Sequence, residues 1–469
     1  MPLGVSLRIG SPTGSALYTP LPSVVLYSTG WSLATTSRDP LDAISAIAAP
    51  NTAPSPAPIS PPVQGLLPSN APDTPPTVAP TAALILINTC GFIEDAKKES
   101  IEEILNLAQY KGSSRKLGIF GCLSQRYKEE LKKGLPEIDA VWGVDESYAI
   151  LEYAKTTLSC DTSKTPTPLP DNKPNMPLYA YIKIAEGCNR TCSFCVIPSI
   201  RGKFRSSQPD DVLNDAQKAV KEGKKELILV AQDITSYGAD IGYSLSRLIK
   251  DIASISGDFW IRLLYLYPTA ITDTLIDTIK SVDKVCKYLD IPIQHSETKI
   301  LKAMRRGASR EFFLDLVNNL RSEIKAVTLR TTVITGFPGE TRNDFHGLLS
   351  FIEDAQFDRL GAFTYSDEEE TCAFALKPKV SAIVKKRRLS ELMAAQAKIS
   401  FEKNKSLKGL TFRCLIDEIN DDTALGRLYS HAPEIDGNVI IEGRLNELPY
   451  DFINVEITEN YEYDIVGKV

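Results

Sequence analysis

Long apolar runs are missing from this chain of 469 residues: stretches such as 84–87 and 227–230 fall far short of the roughly 18 residues that span a bilayer. No transmembrane segment is expected. Cysteine is sparse too, nine in all, which excludes a disulfide-dense secreted scaffold; three of the nine crowd into eight residues, a spacing that favours metal ligation in a reducing, cytoplasmic compartment. An excess of positive charge is also lacking. With 53 basic and 59 acidic side chains the formal charge is -6, which argues against a generally basic, nucleic-acid-coating surface while leaving room for a local patch.

The first 81 residues lack cysteine altogether and hold only three acidic residues, yet carry sixteen of the thirty prolines among Ser, Ala and Thr. That composition buries too little apolar surface to offset chain entropy, so residues 1–81 are expected to be disordered or spurious. If they were instead an organellar targeting peptide, localisation would change. Packed structure begins near residue 82. An apolar strand at 84–88 followed by a helix at 94–110, then a strand at 116–120 followed by a helix at 124–133, makes two βα units and implies a parallel sheet over 82–162. Cys90 and Cys122 fall at the carboxyl ends of its strands, where α/β sheets place ligands.

A Pro/Thr/Lys-rich linker at 163–177 precedes a unit at 178–405 with six strand-like runs: 179–185, 227–231, 260–265, 288–293, 328–335 and 359–365. Helical segments at 210–222, 245–254, 310–324 and 341–354 alternate with them, as in a partial parallel β/α barrel open on one side. After a helix at 385–404, residues 406–469 show short β-rich runs such as 412–416 and 438–441, suiting a small antiparallel β-barrel. The fold class expected is therefore α/β, a partial barrel flanked by an amino-terminal parallel domain and a terminal β-barrel.

The strongest chemical signal is Glu186-Gly187-Cys188-Asn189-Arg190-Thr191-Cys192-Ser193-Phe194-Cys195, three thiols in one loop just after the first barrel strand. Thiolates suit iron–sulfur clusters or zinc, but zinc takes four ligands and no fourth cysteine or histidine lies nearby. Three ligands on a cubane leave one iron open. The bland alternative is an incidental or zinc-binding cluster.

C-x3-C-x2-C with an aromatic, Phe194, before the last cysteine resembles the signature of the radical S-adenosylmethionine (SAM) superfamily. Glu186-Gly187-Cys188-Asn189, Cys195-Val196-Ile197-Pro198-Ser199-Ile200-Arg201-Gly202, Thr335-Gly336-Phe337-Pro338-Gly339-Glu340 and Asn88-Thr89-Cys90-Gly91-Phe92-Ile93 narrow it to a resemblance to the methylthiotransferases, from about residue 82 to the end. The resemblance implies a catalytic 4Fe-4S cluster on Cys188, Cys192 and Cys195 that binds SAM. It also implies an auxiliary 4Fe-4S cluster on three cysteines of the first domain, two of them matched by Cys90 and Cys122. The third has no counterpart in residues 1–81. Either that segment replaces a different amino terminus, which is the preferred explanation, or the chain does not assemble the auxiliary cluster normally.

Of the methylthiotransferase branches, one modifies an adenosine in transfer RNA and the other an aspartate of ribosomal protein S12. Residues 411–469 carry thirteen acidic and four basic side chains, a net charge of -9 that repels phosphate and attracts a basic ribosomal protein. The run from Gly426 to Gly437 (GRLYSHAPEIDG), with Ile261-Arg262-Leu263-Leu264-Tyr265-Leu266-Tyr267-Pro268 and Asp358-Arg359-Leu360-Gly361-Ala362-Phe363, is similar to the ribosomal-protein branch and its TRAM-like terminal domain. What this implies is radical abstraction of hydrogen from the aspartate β-carbon, sulfur attachment and methylation by a second SAM, with an external low-potential electron donor. The alternatives are transfer-RNA methylthiolation, a member inactive in sulfur insertion, and a ribosome-associated binding protein that has lost its chemistry.

Gln232-Asp233 and Gln294-His295 end barrel strands and should face the active-site mouth, and Gly336 and Glu340 belong to another strand-end turn. With Phe194 they are the cofactor-binding candidates; for the polar ones the competing reading is a structural cap. Cys160, Cys286, Cys372 and Cys414 match no ligand spacing and are expected to be small buried hydrophobes. Lys385-Lys386-Arg387-Arg388 is expected to be a solvated helix face.

Overall fold

The computed structural model describes residues 84–112, 115–158, 177–420, 423–443 and 448–469, together with the backbone of three strands between residues 7 and 28. Residues 159–176, which include Cys160 and all but the last residue of the expected linker, lie outside the described residues.

Three short strands run through the segment expected to lack structure: β1 (Leu7–Gly10), β2 (Ala16–Thr19) and β3 (Val24–Ser28). β3 pairs in parallel with β4 (Leu84–Thr89), Val24 opposite Leu84 and Ser28 opposite Asn88. β2 is the edge of this sheet and β3 lies between β1 and β4, so backbone pairing reaches into a segment whose composition, averaged across 81 residues, shows no strands. Beyond β4 come β5 (Lys116–Gly121) and β6 (Ala140–Val141), giving the order β2-β1-β3-β4-β5-β6. Ile85, Ile87, Leu117 and Ile119 pack with Ile104 and Leu107 of the Glu94–Ala108 helix. The single helix expected at 124–133 is two, Cys122–Arg126 and Lys128–Gly134, broken at Tyr127.

The second sheet is six parallel strands in chain order: β7 (Tyr179–Lys183), β10 (Glu226–Val230), β11 (Trp260–Leu263), β12 (Val285–Asp290), β13 (Thr328–Thr335) and β14 (Arg359–Thr364). β7 and β14 are its two edges, so the barrel is open. Between β7 and β10, two-residue strands β8 (Ala185–Glu186) and β9 (Arg205–Ser206) pair antiparallel and pinch off the cysteine loop. The crossover helices start at side-chain caps: Ser244, Thr272 and Ser309 each accept an amide proton, and Thr341 with Asp344 forms a capping box.

Alternation along the strands decides what each face meets. Leu227, Leu229, Ile261 and Leu263 pack with helix residues such as Leu248, Ile252 and Leu275, whereas Ile228, Val230, Trp260 and Tyr288 point the other way. That inner face meets Leu415, Ala432 and Ile435 of the terminal domain. The terminal domain is a closed five-stranded barrel of β15 (Thr411–Ile419), β16 (Ala424–Leu428), β17 (Val439–Glu442), β18 (Phe452–Asn460) and β19 (Ile465–Lys468). It stoppers the amino-terminal end of the partial barrel and leaves the carboxyl ends of the strands free for chemistry. No described helix is long and apolar enough to cross a membrane.

Candidate radical-cluster site

Cys188, Cys192 and Cys195 are free and partly exposed on the loop that leaves β8. The loop turns at Gly187, whose φ is +78° and where an added Cβ would lie 2.3 Å from the Lys203 carbonyl oxygen, so only glycine fits. The Cys188 amide donates to the Gly202 carbonyl (3.2 Å), and Ser193 is held from both sides. Its amide donates to the Met304 carbonyl (3.0 Å) and its hydroxyl to that of Ala303 (2.7 Å). The carboxyl end of the Thr298–Met304 helix thus grips the loop between the second and third thiols. Phe194 packs with Ile300, Met304, Phe337 and Tyr365, fastening the loop to the turn after β13.

Burial pushes the Cys195 thiol up to about 12, with the neighbouring Cys192 and Cys188 adding to it, and burial raises Cys188 in the same direction. Three thiolates are therefore unfavourable here unless a positive group neutralises them. Among the described residues no three His, Cys, Asp or Glu side chains converge tightly enough to chelate one metal ion.

The other strand-end candidates divide by what already occupies them. Asp233 accepts from the Thr235 amide (3.1 Å) and hydroxyl, the Ser236 hydroxyl (2.8 Å) and Arg190 Nε (2.8 Å), so it caps its own turn and holds the cysteine loop through Arg190. Glu340 is likewise committed: it accepts from the Gly336 (2.7 Å) and Phe337 (3.2 Å) amides and from Arg388 (2.6 Å). His295 is fully buried; its Nδ1 accepts the Glu297 amide (3.0 Å), which leaves the proton on Nε2, 3.7 Å from Glu340. Gly336 has φ +75° and lies against the Lys385 side chain. The Gln294 backbone, at φ +73°, pairs with Thr332 and Ile334. His295 Nε2 is buried without a hydrogen-bond partner, and Gln232 goes further. Both its amide oxygen and its amide nitrogen are buried and neither has a partner.

The three family models that match are the radical SAM superfamily over residues 182–352, the TRAM domain over 409–469 and an uncharacterized family, UPF0004, over 73–143. A ribosomal protein uS12 methylthiotransferase from Thermodesulfovibrio yellowstonii is 52% identical over 83% of this chain and 91% of its own length. Those from Natranaerobius thermophilus and Thermosipho africanus are 46% and 45% identical over 83% of this chain and 90% and 91% of theirs. The chain belongs to the uS12 methylthiotransferase family. Among solved structures, the radical SAM methyltransferase TsrM from Kitasatospora setae is 13% identical with a TM-score of 0.45 over 60% of this chain and 62% of its own, too distant to bear on function.

Membership in the methylthiotransferases brings a 4Fe-4S cluster and SAM, and the residues on the page fit them: three free thiols on one loop, and an orphaned amide at Gln232 facing the same end of the barrel. The amino-terminal thiols fit less well. Cys90 and Cys122 are both buried at neighbouring strand ends; burial, then the nearby Cys122, pushes Cys90 up to about 12. Cys122 packs with Val196 and Ile200, just beyond Cys195, and its sulfur accepts from Arg201 (3.3 Å), which also pairs with Glu186 (2.9 Å). The two thiols thus face the radical-cluster loop across the domain junction, but among the described residues no third cysteine joins them, and a three-cysteine cluster is not matched.

Sequence reasoning missed Arg201 and Arg306, whose partners lie far along the chain. Two further readings are corrected. Cys286 and Cys414 are buried as expected, but Cys372 is exposed. The basic run on the Ala382–Lys405 helix is not a uniformly solvated face: Arg388 is buried on Glu340 and half-buried Lys385 donates to the Tyr365 carbonyl (2.6 Å).

Proposed function

We propose that this chain adds a methylthio group to the β-carbon of an aspartate in ribosomal protein S12. The observation that carries the reading is the loop of Cys188, Cys192 and Cys195, fixed at the carboxyl end of a partial barrel whose other end is stoppered by an acidic terminal domain. When bound, the cluster and SAM supply a 5′-deoxyadenosyl radical for hydrogen abstraction, fed by an external low-potential electron donor. The protein's part is to hold the three thiols, exclude water and present one C–H bond. Gly187, Ser193 and Phe194 set the loop. Asp233 and Glu340 act as positioning residues, the first through Arg190 and the second through the Gly336 turn. Gln232, with a free donor and a free acceptor, is assigned to cofactor or substrate recognition. His295, Gln294 and Gly336 line the same strand ends.

The terminal domain's charge of -9 favours a basic protein over RNA as the docking partner. With two thiols rather than three beside Arg201, a specific observation also supports a second reading, a family member that cleaves SAM but does not insert sulfur. Incubating the reconstituted enzyme with SAM, dithionite, sulfide and, in separate reactions, S12 or transfer RNA, followed by mass spectrometry of peptides or nucleosides, separates the readings. A methylthio mass increase on one aspartate supports the first; 5′-deoxyadenosine without that increase supports the second; modified transfer RNA would replace both.

A further inference from the structure

Two guanidiniums enclose the ring of Tyr267 beside the cysteine loop, Arg190 at 3.8 Å and Arg306 at 4.3 Å from its centroid. Their charges are handled differently. Arg190 is paired with Asp233 at 2.8 Å and is partly exposed. Arg306 is 6% exposed and makes no ion pair with a carboxylate among the described residues. One Nη donates to the Pro292 carbonyl, and the other is directed at Cys192 Sγ, 3.6 Å away. A buried guanidinium without a counter-charge is strongly disfavoured by its lost hydration, so a fold that keeps one there must provide an anion. The anion within reach is the sulfur of Cys192.

We propose that Arg306 is the counter-ion of the radical cluster, its guanidinium hydrogen-bonding the Cys192 thiolate and favouring the reduced state. This rests on the cluster reading of Cys188, Cys192 and Cys195. A 4Fe-4S core with three thiolates is an anion that gains one more negative charge on reduction. A fixed cation at the ligand sulfur stabilises the reduced form more than the oxidised one, because hydrogen bonds and charge near the sulfurs set cluster potentials. The position is well anchored: the Arg306 amide donates to Leu301 (3.0 Å) and its carbonyl accepts the Tyr267 hydroxyl (3.1 Å). The same helix end that grips Ser193 thus also delivers the charge.

The test uses the full chain, reconstituted anaerobically, as wild type, Arg306→Met and Arg306→Lys. Iron and sulfide per chain are measured first, then the cluster midpoint by EPR-monitored titration with dithionite before any SAM is added. With iron retained, R306M should hold at least tenfold less reduced cluster at a fixed potential, a downward shift of about 59 mV or more for this one-electron couple, and R306K should recover most of it. Full iron and a wild-type midpoint in R306M would overturn the proposal; so would an unchanged midpoint with weakened SAM binding, which would assign the guanidinium to the cofactor. If R306M loads no iron, loading restored in R306K supports a role for charge, and a lysine variant equally empty overturns it. A wild-type chain without iron would instead refute the cluster reading on which the proposal stands.

Discussion

Gln232 separates function from stability within a single side chain. A buried amide with neither atom paired contributes nothing to folding and costs desolvation, so replacing it by an apolar group of similar shape is close to neutral or stabilising. Gln232→Leu should therefore leave the melting temperature unchanged or raised while kcat/KM for methylthiolation falls roughly tenfold or more, the loss of one hydrogen-bonded contact or two. A fall in both would make Gln232 structural. Glu340 should behave oppositely. Glu340→Gln leaves Arg388 buried without its carboxylate, and chemical denaturation should show a loss of roughly 3–5 kcal/mol. The sequence made both residues legible as strand-end polar groups but not which of them was free, because that depends on Arg388 and on backbone amides that only the folded chain brings near. Arg306 was illegible for the same reason: Cys192 lies more than a hundred positions away in the chain.

Among the elements, the six barrel strands and four of their crossover helices follow from alternation, and β13 spans residues 328–335 as expected, but the Asp273–Ser281 helix between β11 and β12 was not read. The Thr298–Met304 helix was missed. It is seven residues long, too short to show a helical period, and its work is done by its carboxyl-terminal carbonyls on Ser193. The cysteine loop depends on such contacts rather than on its own propensities. Gly187→Ala, with its Cβ forced against the Lys203 carbonyl, should distort the loop and lower iron per chain well below wild type, while the far-ultraviolet circular dichroism of the barrel stays the same. Normal iron content in that variant would show that the loop tolerates the strain.

Across the whole molecule, the terminal barrel is fastened to the partial barrel by buried charge as well as apolar contact. Fully buried Glu226 on β10 lies between Arg262 of β11 and Arg427 of β16. Burial alone would raise its carboxyl; the two guanidiniums more than reverse that and hold it below its ordinary value of 4.5. With the folded value lowered, the stabilisation is complete above about pH 4.5 and is lost as pH falls through the lower folded value. Glu226→Gln should cost roughly 3–5 kcal/mol at neutral pH, and the gap from wild type should close in acid, as measured by denaturant unfolding across that range. The acidic composition of the terminal domain was plain in the sequence. Its insertion into the inner face of the partial barrel was not, because strand alternation shows that two faces are covered without showing by what.

The account stands on the cluster held by Cys188, Cys192 and Cys195. Its most direct test is iron and acid-labile sulfide per chain after anaerobic reconstitution, for the wild type and for Cys188→Ala/Cys192→Ala/Cys195→Ala. The prediction is that the variant holds about four irons per chain fewer than the wild type; about four falling to none would mean that the radical cluster alone assembles and would favour the reading without sulfur insertion. About eight falling to about four would still place the radical cluster on these cysteines and would mean that another group completes the second site. A triple variant that keeps all of its iron, or a wild type that binds none, would contradict it.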